Sequence, residues 1–255
     1  MTDSDVERAL GCGEIQPFFQ PKFNLLSNEL EGFEVLARWL HPRRGILPPL
    51  LFMPALERGG LLNELLLSQL LCGLALQKKL RARGEMLSFS YNLEVGQLAT
   101  PELISTLKPL LASECDLAPW ITFEVTERGV LELSDCAQRT LGELVGLGIR
   151  LSLDDFGTGF SSLERLYHFP FDELKLDARF ISGVIDDERC QAIIKNTIYL
   201  AHALKMSVVL EGIENERQRQ RLIELGGTRG QGYLYAGAMS ADDVFAWSDI
   251  QQHVP

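Results

Sequence analysis

Polar and apolar positions along the 255-residue chain follow two periods. Eight segments alternate between polar and apolar residues, or are short and apolar, as strands with one face on a core do. They are Ile15–Leu25, Leu30–Leu40, Met86–Glu94, Trp120–Glu127, Arg150–Phe156, Glu173–Phe180, Ser207–Glu214 and Thr228–Tyr235. Between most of them, apolar residues recur every three to four positions, the period of an amphipathic helix. The expected helices are Leu61–Arg83, Pro101–Ser113, Ser134–Leu147, Asp187–Leu204 and Glu216–Leu225, with a short one from Ser161. Strand–helix alternation predicts a parallel sheet, and eight strands in about 250 residues predict its closure into a barrel. Only a short turn, Ser27–Glu29, separates the first two strands. A parallel crossover needs a dozen or more residues and a hairpin about two, so the first strand is expected to run against the second. The predicted fold is an α/β protein, a modified TIM (β/α)8 barrel with an antiparallel first strand, in one domain spanning 1–255.

Strand alternation also sorts the polar residues. Glu34, Leu36 and Arg38 share one face of the second strand, and Phe33, Val35, Ala37 and Trp39 the other. In later strands Ser90 and Asn92, Thr122 and Glu124, Ser152 and Asp154, and Glu173, Lys175 and Asp177 lie opposite apolar residues, as does Glu211. If the apolar faces pack on the helices, the polar faces point into the barrel. The acidic groups then gather at the C-terminal strand ends, where barrel enzymes place their active sites.

Composition narrows the function. With 35 acidic and 24 basic side chains the formal charge is −11, which disfavours a long nucleic acid or an anionic membrane as partner. The apolar stretch Leu61–Leu76 is interrupted by Asn63, Glu64, Ser68 and Gln69 and is too short for a membrane span. Five scattered cysteines, none in a C-x-x-C pair, argue for reduced thiols and a cytoplasmic location rather than a disulfide framework or a thiolate metal site. No signal peptide is visible at the N-terminus.

A single acidic residue at a strand end is commonly a helix cap or a loop charge. Glu34, Glu124, Asp154, Asp155 and Glu211, joined by Asn92, would converge from different strands. Clustered carboxylates cannot all stay ionised without compensation. A donor set made only of oxygen suits Mg²⁺ or Mn²⁺ rather than Zn²⁺. Adjacent Asp154 and Asp155 could serve two ions, and a two-metal site is a known device for cleaving phosphoesters. His41 and His168 are read as loop histidines, not ligands.

At these positions the sequence resembles the EAL-domain family of cyclic di-GMP phosphodiesterases. The name-giving motif reads Glu34-Val35-Leu36, followed by Ala37-Arg38-Trp39. Further matches are Gln20-Pro21, Tyr91-Asn92-Leu93, Phe123-Glu124-Val125-Thr126-Glu127, the run from Asp154 to Leu163, Leu174-Lys175-Leu176-Asp177, Glu211-Gly212-Ile213-Glu214 and Gln231-Gly232-Tyr233. The resemblance runs from about Phe19 to Met239. It implies hydrolysis of cyclic di-GMP to linear 5'-pGpG with two Mg²⁺ or Mn²⁺ ions per site, and inhibition by Ca²⁺. Glu34, Asn92, Glu124 and Asp154 would bind one ion. Asp154, Asp155 and Glu211 would bind the other. Lys175 would hold the attacking water or the phosphate, and Glu211 is open as base or as ligand. Arg38 would meet a phosphate, Leu36 would pack on the nucleotide, and Gln20, Asp177, Glu214 and Gln231 would contact or position it. Glu127 would anchor the loop after Asp155, which the family links to a homodimer interface. None of the departures, Glu94, Gly227 and Ala238, is a proposed metal ligand. A non-catalytic cyclic di-GMP receptor, a protein-interaction module or an enzyme for another small phosphoester are the alternatives that assays would separate.

Overall fold

A computed structural model describes residues 2–126, 134–157, 166 and 169–251. Nine strands are present among them: β1 (Ile15–Asn24), β2 (Leu30–His41), β3 (Gly45–Leu47), β4 (Ser88–Asn92), β5 (Ile121–Thr126), β6 (Arg150–Phe156), β7 (Glu173–Leu176), β8 (Ser207–Leu210) and β9 (Arg229–Gln231). They form one sheet in the order β1-β9-β8-β7-β6-β5-β4-β2-β3, and β1 also pairs with β2. That last pairing closes an eight-stranded barrel, to which β3 is an addition. β1 runs antiparallel to both β2 and β9, and the other barrel neighbours are parallel.

The reversed first strand follows from its turn. Asn28 takes a left-handed backbone (φ 58°), which asparagine tolerates better than most residues. The Asn24 carboxamide oxygen accepts the Leu26 and Ser27 backbone N–H groups at 2.9 and 3.1 Å, fixing an Asx-type turn.

All eight expected strands are found, but three stop four residues earlier than expected. β7 ends at Leu176 because Asp177 caps a helix, Ala178–Ser182, by accepting the Arg179 N–H at 2.8 Å. β8 ends before Glu211 because Gly212, at φ 73°, turns the chain where a Cβ would overlap Ala178. β9 ends at Gln231 because Gly232 packs directly on the Ile213 backbone. These breaks lie at the C-terminal strand ends. The helices expected at 61–83, 101–113, 134–147, 187–204 and 216–225 appear as Leu62–Ala82, Pro101–Ser113, Asp135–Gly146, Glu188–Ala203 and Glu216–Glu224. The one expected from Ser161 lies outside the described residues.

Outward strand residues such as Phe33, Val35, Phe89, Tyr91, Phe123, Val125, Leu151, Leu153, Leu174 and Leu210 form the main core. The helix Leu62–Ala82 covers them with a stripe that includes Leu66, Leu70, Leu74 and Leu80, which is why so apolar a stretch stays in the fold. Several further elements were not expected, two of which pack together. Thr2 and Asp5 form a capping box that starts the helix Asp3–Gly11, and its Val6 and Ala9 pack in a second apolar cluster with Trp39, Phe52 and Leu56. Leu56 comes from the other addition, the short helix Met53–Arg58. No described helix is long and apolar enough to cross a membrane. The five cysteines are free.

Candidate active site

Every barrel strand, or the residue just past its end, sends a polar side chain to the interior. At the centre lies Lys175 of β7, 1% exposed. Its ammonium is 2.7 Å from Glu124 Oε2, 2.9 Å from Glu211 Oε1, 3.1 Å from Glu34 Oε2 and 3.3 Å from Asp154 Oδ1. The Gln231 amide donates to Glu34 Oε2 at 2.6 Å and to Glu211 Oε1 at 2.9 Å. Asn92 donates to Glu34 Oε1 at 3.3 Å. Seven of the residues singled out from sequence, Glu34, Asn92, Glu124, Asp154, Lys175, Glu211 and Gln231, therefore meet in one network.

Asp154 and Asp155 are neighbours, and in a regular strand their side chains would face opposite ways. The β6–β7 register shifts between Leu153 and Phe156, and Asp155 has a left-handed backbone (φ 57°). Such an irregularity re-aims side chains. As a result, carboxylate oxygens of Asp154, Asp155 and Glu211 lie within 4.8 Å of one another, a grouping that could hold a cation.

Electrostatics divide the carboxylates into two kinds. Burial would raise the pKa of Glu124, but Lys175 and Lys22 outweigh it and hold it down at about 2. Burial pushes Asp154 up to about 7, with Lys175 opposing and Glu124, Glu34 and Asp155 adding. Glu211 rises to about 8, chiefly through burial, with Lys175 again opposing. Burial disfavours the Lys175 ammonium, yet Asp154, Glu124 and Glu211 more than offset that and keep it charged. The protein's own cations thus keep Glu124 ionised, whereas Asp154 and Glu211 hold protons up to near-neutral pH, chiefly because they are buried. An added cation would favour the ionised form of both.

Lys22 of β1 is a site residue that the sequence reading missed. It is 5% exposed and donates to Ser90 Oγ at 2.6 Å and Glu124 Oε1 at 2.9 Å. The signal was available, since Lys22 lies two residues beyond Gln20 and so shares its strand face.

The remaining candidates lie on the rim or elsewhere. Leu36 lines a cavity of about 230 Å³ beside Glu34 and Asn92, with Pro49, Met53, Leu62 and Leu66 as apolar wall. Arg38 is half-buried and donates to the Ala37 carbonyl at 2.9 Å. Gln20 is partly buried and pairs with Glu34 in the β1–β2 register. Asp177 is occupied by its helix cap, by the Arg179 guanidinium at 2.8 Å and by a hydrogen bond with Asp155. Glu214 is exposed, and its backbone N–H goes to Gln218 Oε1 at 2.8 Å; the network does not include it. His41 is the last residue of β2 rather than a loop residue. Its ring packs on Trp39 and its Nδ1 accepts from the Arg43 N–H at 3.1 Å, a structural role. Glu127, His168 and residues 158–162 of the loop lie outside the described residues.

A closed barrel with its reactive side chains gathered at the C-terminal strand ends has the layout of the barrel enzymes. A family model described as the EAL domain matches residues 3–238. The chain belongs to the EAL domain family. It is 40% identical over 237 residues to the cyclic di-GMP phosphodiesterase RocR of Pseudomonas aeruginosa, which covers 92% of this chain and 60% of that protein. It is 32% identical over 246 residues to the cyclic di-GMP phosphodiesterase PdeR of Escherichia coli, covering 96% of this chain and 37% of that one. The chain therefore spans less than two thirds of either relative. Among solved structures, the PaMucR phosphodiesterase in complex with c-di-GMP superposes with a TM-score of 0.85 at 31% identity, over 94% of this chain and 98% of that one. The EAL enzyme Bd1971, bound to cAMP and cyclic di-GMP, gives 0.88 at 30% identity, over 96% and 67%.

Proposed function

We propose that this protein hydrolyses one phosphodiester bond of cyclic di-GMP to give linear pGpG, with Mg²⁺ or Mn²⁺ held at the barrel mouth. The observation that carries this reading is the convergence of Glu34, Glu124, Asp154, Asp155 and Glu211, from four strands or their ends, in a family whose relatives include named cyclic di-GMP phosphodiesterases.

The residues fit divalent ions. Their donors are all carboxylate or amide oxygens, the preference of Mg²⁺ and Mn²⁺. Four carboxylates share the single Lys175 ammonium, which leaves a place for added positive charge. The Gln231 side-chain oxygen is buried without a hydrogen-bond partner, an acceptor that a cation or its water would use. Glu34, Asn92, Glu124 and Asp154 would hold one ion, and Asp154, Asp155 and Glu211 the other. When bound, the pair of ions lowers the pKa of water and neutralises charge on the phosphate.

The protein side chains do the rest. Lys175 already contacts four carboxylates and, from that central place, can orient a water or a phosphate oxygen. Arg38, on the rim along the same strand face as Glu34, presents a guanidinium fork suited to phosphate oxygens. The cavity lined by Leu36, Met53 and Leu66 offers an apolar wall for a nucleobase next to the reacting centre. Burial excludes bulk water from the network and so strengthens each of these electrostatic contacts. Glu211, beside Lys175 and grouped with Asp154 and Asp155, is placed to act either as a ligand or as a base.

Purified protein given cyclic di-GMP with Mg²⁺ or Mn²⁺ is expected to form pGpG, followed by chromatography. Glu34→Ala or Asp154→Ala is expected to abolish turnover while leaving the protein folded. Ca²⁺ in place of either ion is expected to inhibit. Tight binding of cyclic di-GMP without product under both metals would replace the enzyme reading with that of a receptor.

A further inference from the structure

Glu124 is 0% exposed, and both of its carboxylate oxygens are taken by lysines. Oε2 faces the mouth and meets Lys175 at 2.7 Å, whereas Oε1 faces down the barrel axis and meets Lys22 at 2.9 Å. The Lys22 ammonium is itself fixed from two other sides, by Ser90 Oγ at 2.6 Å and Glu173 Oε1 at 3.5 Å. Below it, Arg229 lies 3.9 Å from Glu173 Oε2 and 2.7 Å from Glu31 Oε2. Charges of alternating sign therefore descend from the reaction centre: Lys175, Glu124, Lys22, Glu173, Arg229, Glu31. Lys22 is separated from the mouth by Glu124.

We propose that Lys22 is a positioning residue for the reaction, one that clamps Glu124 in a single orientation and so keeps Lys175 free to serve Glu34, Asp154 and Glu211. This rests on the phosphodiesterase reading above. Lys175 has three N–H groups and four carboxylates around it. Without Lys22, the inner oxygen of Glu124 loses its donor at 2.9 Å while remaining fully buried. Glu124 would then rotate toward Lys175 and draw it inward, away from the other three carboxylates. A buried ion pair is by itself weak evidence for a stabilising role, and the role assigned to this one is orientation. A displacement of about 1 Å at a reacting centre can cost about a hundredfold in rate.

The test uses the whole chain with Mg²⁺ or Mn²⁺ and cyclic di-GMP. Lys22→Met removes the clamp. Lys22→Met combined with Glu173→Gln removes one positive and one negative charge together and so keeps the interior charge balanced, which protects the fold if the single variant does not survive. Circular dichroism and a melting curve establish that each variant is folded. The expected result is a loss of at least tenfold in kcat with KM unchanged within twofold, because Lys22 lies beneath the site and touches no substrate. A merely structural role would lower the melting temperature without that split. A folded variant with a smaller loss in kcat, or a loss carried by KM alone, would overturn the proposal. A wild-type protein that forms no pGpG would remove the phosphodiesterase reading itself, whereas an active wild type with equally active variants would remove only the role given to Lys22.

Discussion

Lys175→Met is the most informative perturbation of the interior, because it separates the lysine's structural duty from its chemical one. The ammonium lies within 3.3 Å of oxygens from Glu34, Glu124, Asp154 and Glu211, and methionine fills nearly the same volume without the charge. Removing one partner of a buried ion pair typically costs about 3–5 kcal/mol. Two effects act against each other around that figure. Four carboxylates share this one cation, which pushes the cost up. Asp154 and Glu211, held at about 7 and about 8, can take up protons when the lysine is gone, which brings it down. The figure of about 3–5 kcal/mol is taken for the metal-free protein. For a domain of this size each kcal/mol shifts the melting temperature by about 2–4 °C, which gives a loss of about 6–20 °C. The assay is a melting curve in chelator at pH 8, repeated with excess Mn²⁺. A divalent cation supplies the charge that the variant lacks, so Mn²⁺ is expected to raise the variant's melting temperature by more than it raises that of the wild type. A variant that melts within 2 °C of the wild type in chelator, or gains no more than the wild type from Mn²⁺, would refute the view that Lys175 neutralises this cluster.

The metal-free protein is expected to lose stability as pH rises. Asp154 and Glu211 bind protons more tightly in the folded state, at about 7 and about 8, than their ordinary values of 3.8 and 4.5. Between those limits the folded state holds more protons than the unfolded one, so the stability these groups contribute is full below about pH 4 and is lost through pH 7 to 8. Denaturant midpoints in chelator across pH 5 to 8.5 check it, and a midpoint that climbs over the upper half of that range would contradict it. Away from the site, a Cβ at Gly73 would overlap the Tyr91 hydroxyl. That hydroxyl is buried and has no hydrogen-bond partner. Gly73→Ala is expected to cost about 1–3 kcal/mol by overpacking, while Tyr91→Phe alone costs little. Denaturation of the two single variants and the double should show the double more stable than Gly73→Ala; strict additivity would sink the argument.

The barrel was legible because its strands carry two signals at once: apolar residues at every second position for the outer core, and polar ones between them for the interior. The reversed first strand was legible from the length of one turn. What escaped the sequence has identifiable causes. The helix Asp3–Gly11 buries only Val6 and Ala9, too few apolar positions to reveal a period, and its existence depends on Trp39 and Phe52 supplying a surface. β3 is three residues long and is set by pairing with β2 rather than by its own pattern. Lys22 was missed because a lysine two residues before the end of a strand resembles a solvated end, and only the closure of the barrel by β9, where Lys22 pairs with Gln231, encloses it.

Asp154 and Asp155 show the limit of parity as a method. Strict alternation places one of them outside the barrel, yet the sequence resemblance assigns both to the site, and the two readings conflict until the backbone is known. The register shift and the left-handed Asp155 resolve the conflict by bringing both carboxylates to the mouth. A non-glycine residue held in that backbone region carries a local cost, and a strand free of any constraint on where its side chains point would not retain it. The net charge of −11 has a similar limit. Taken over the whole surface it argues against a polyanion partner, but at the mouth the buried carboxylates outnumber the lysines that face them, and two divalent ions there would reverse the sign that a phosphate meets. Whether an anion is repelled or bound depends on that local balance, and the total charge carries no information about it.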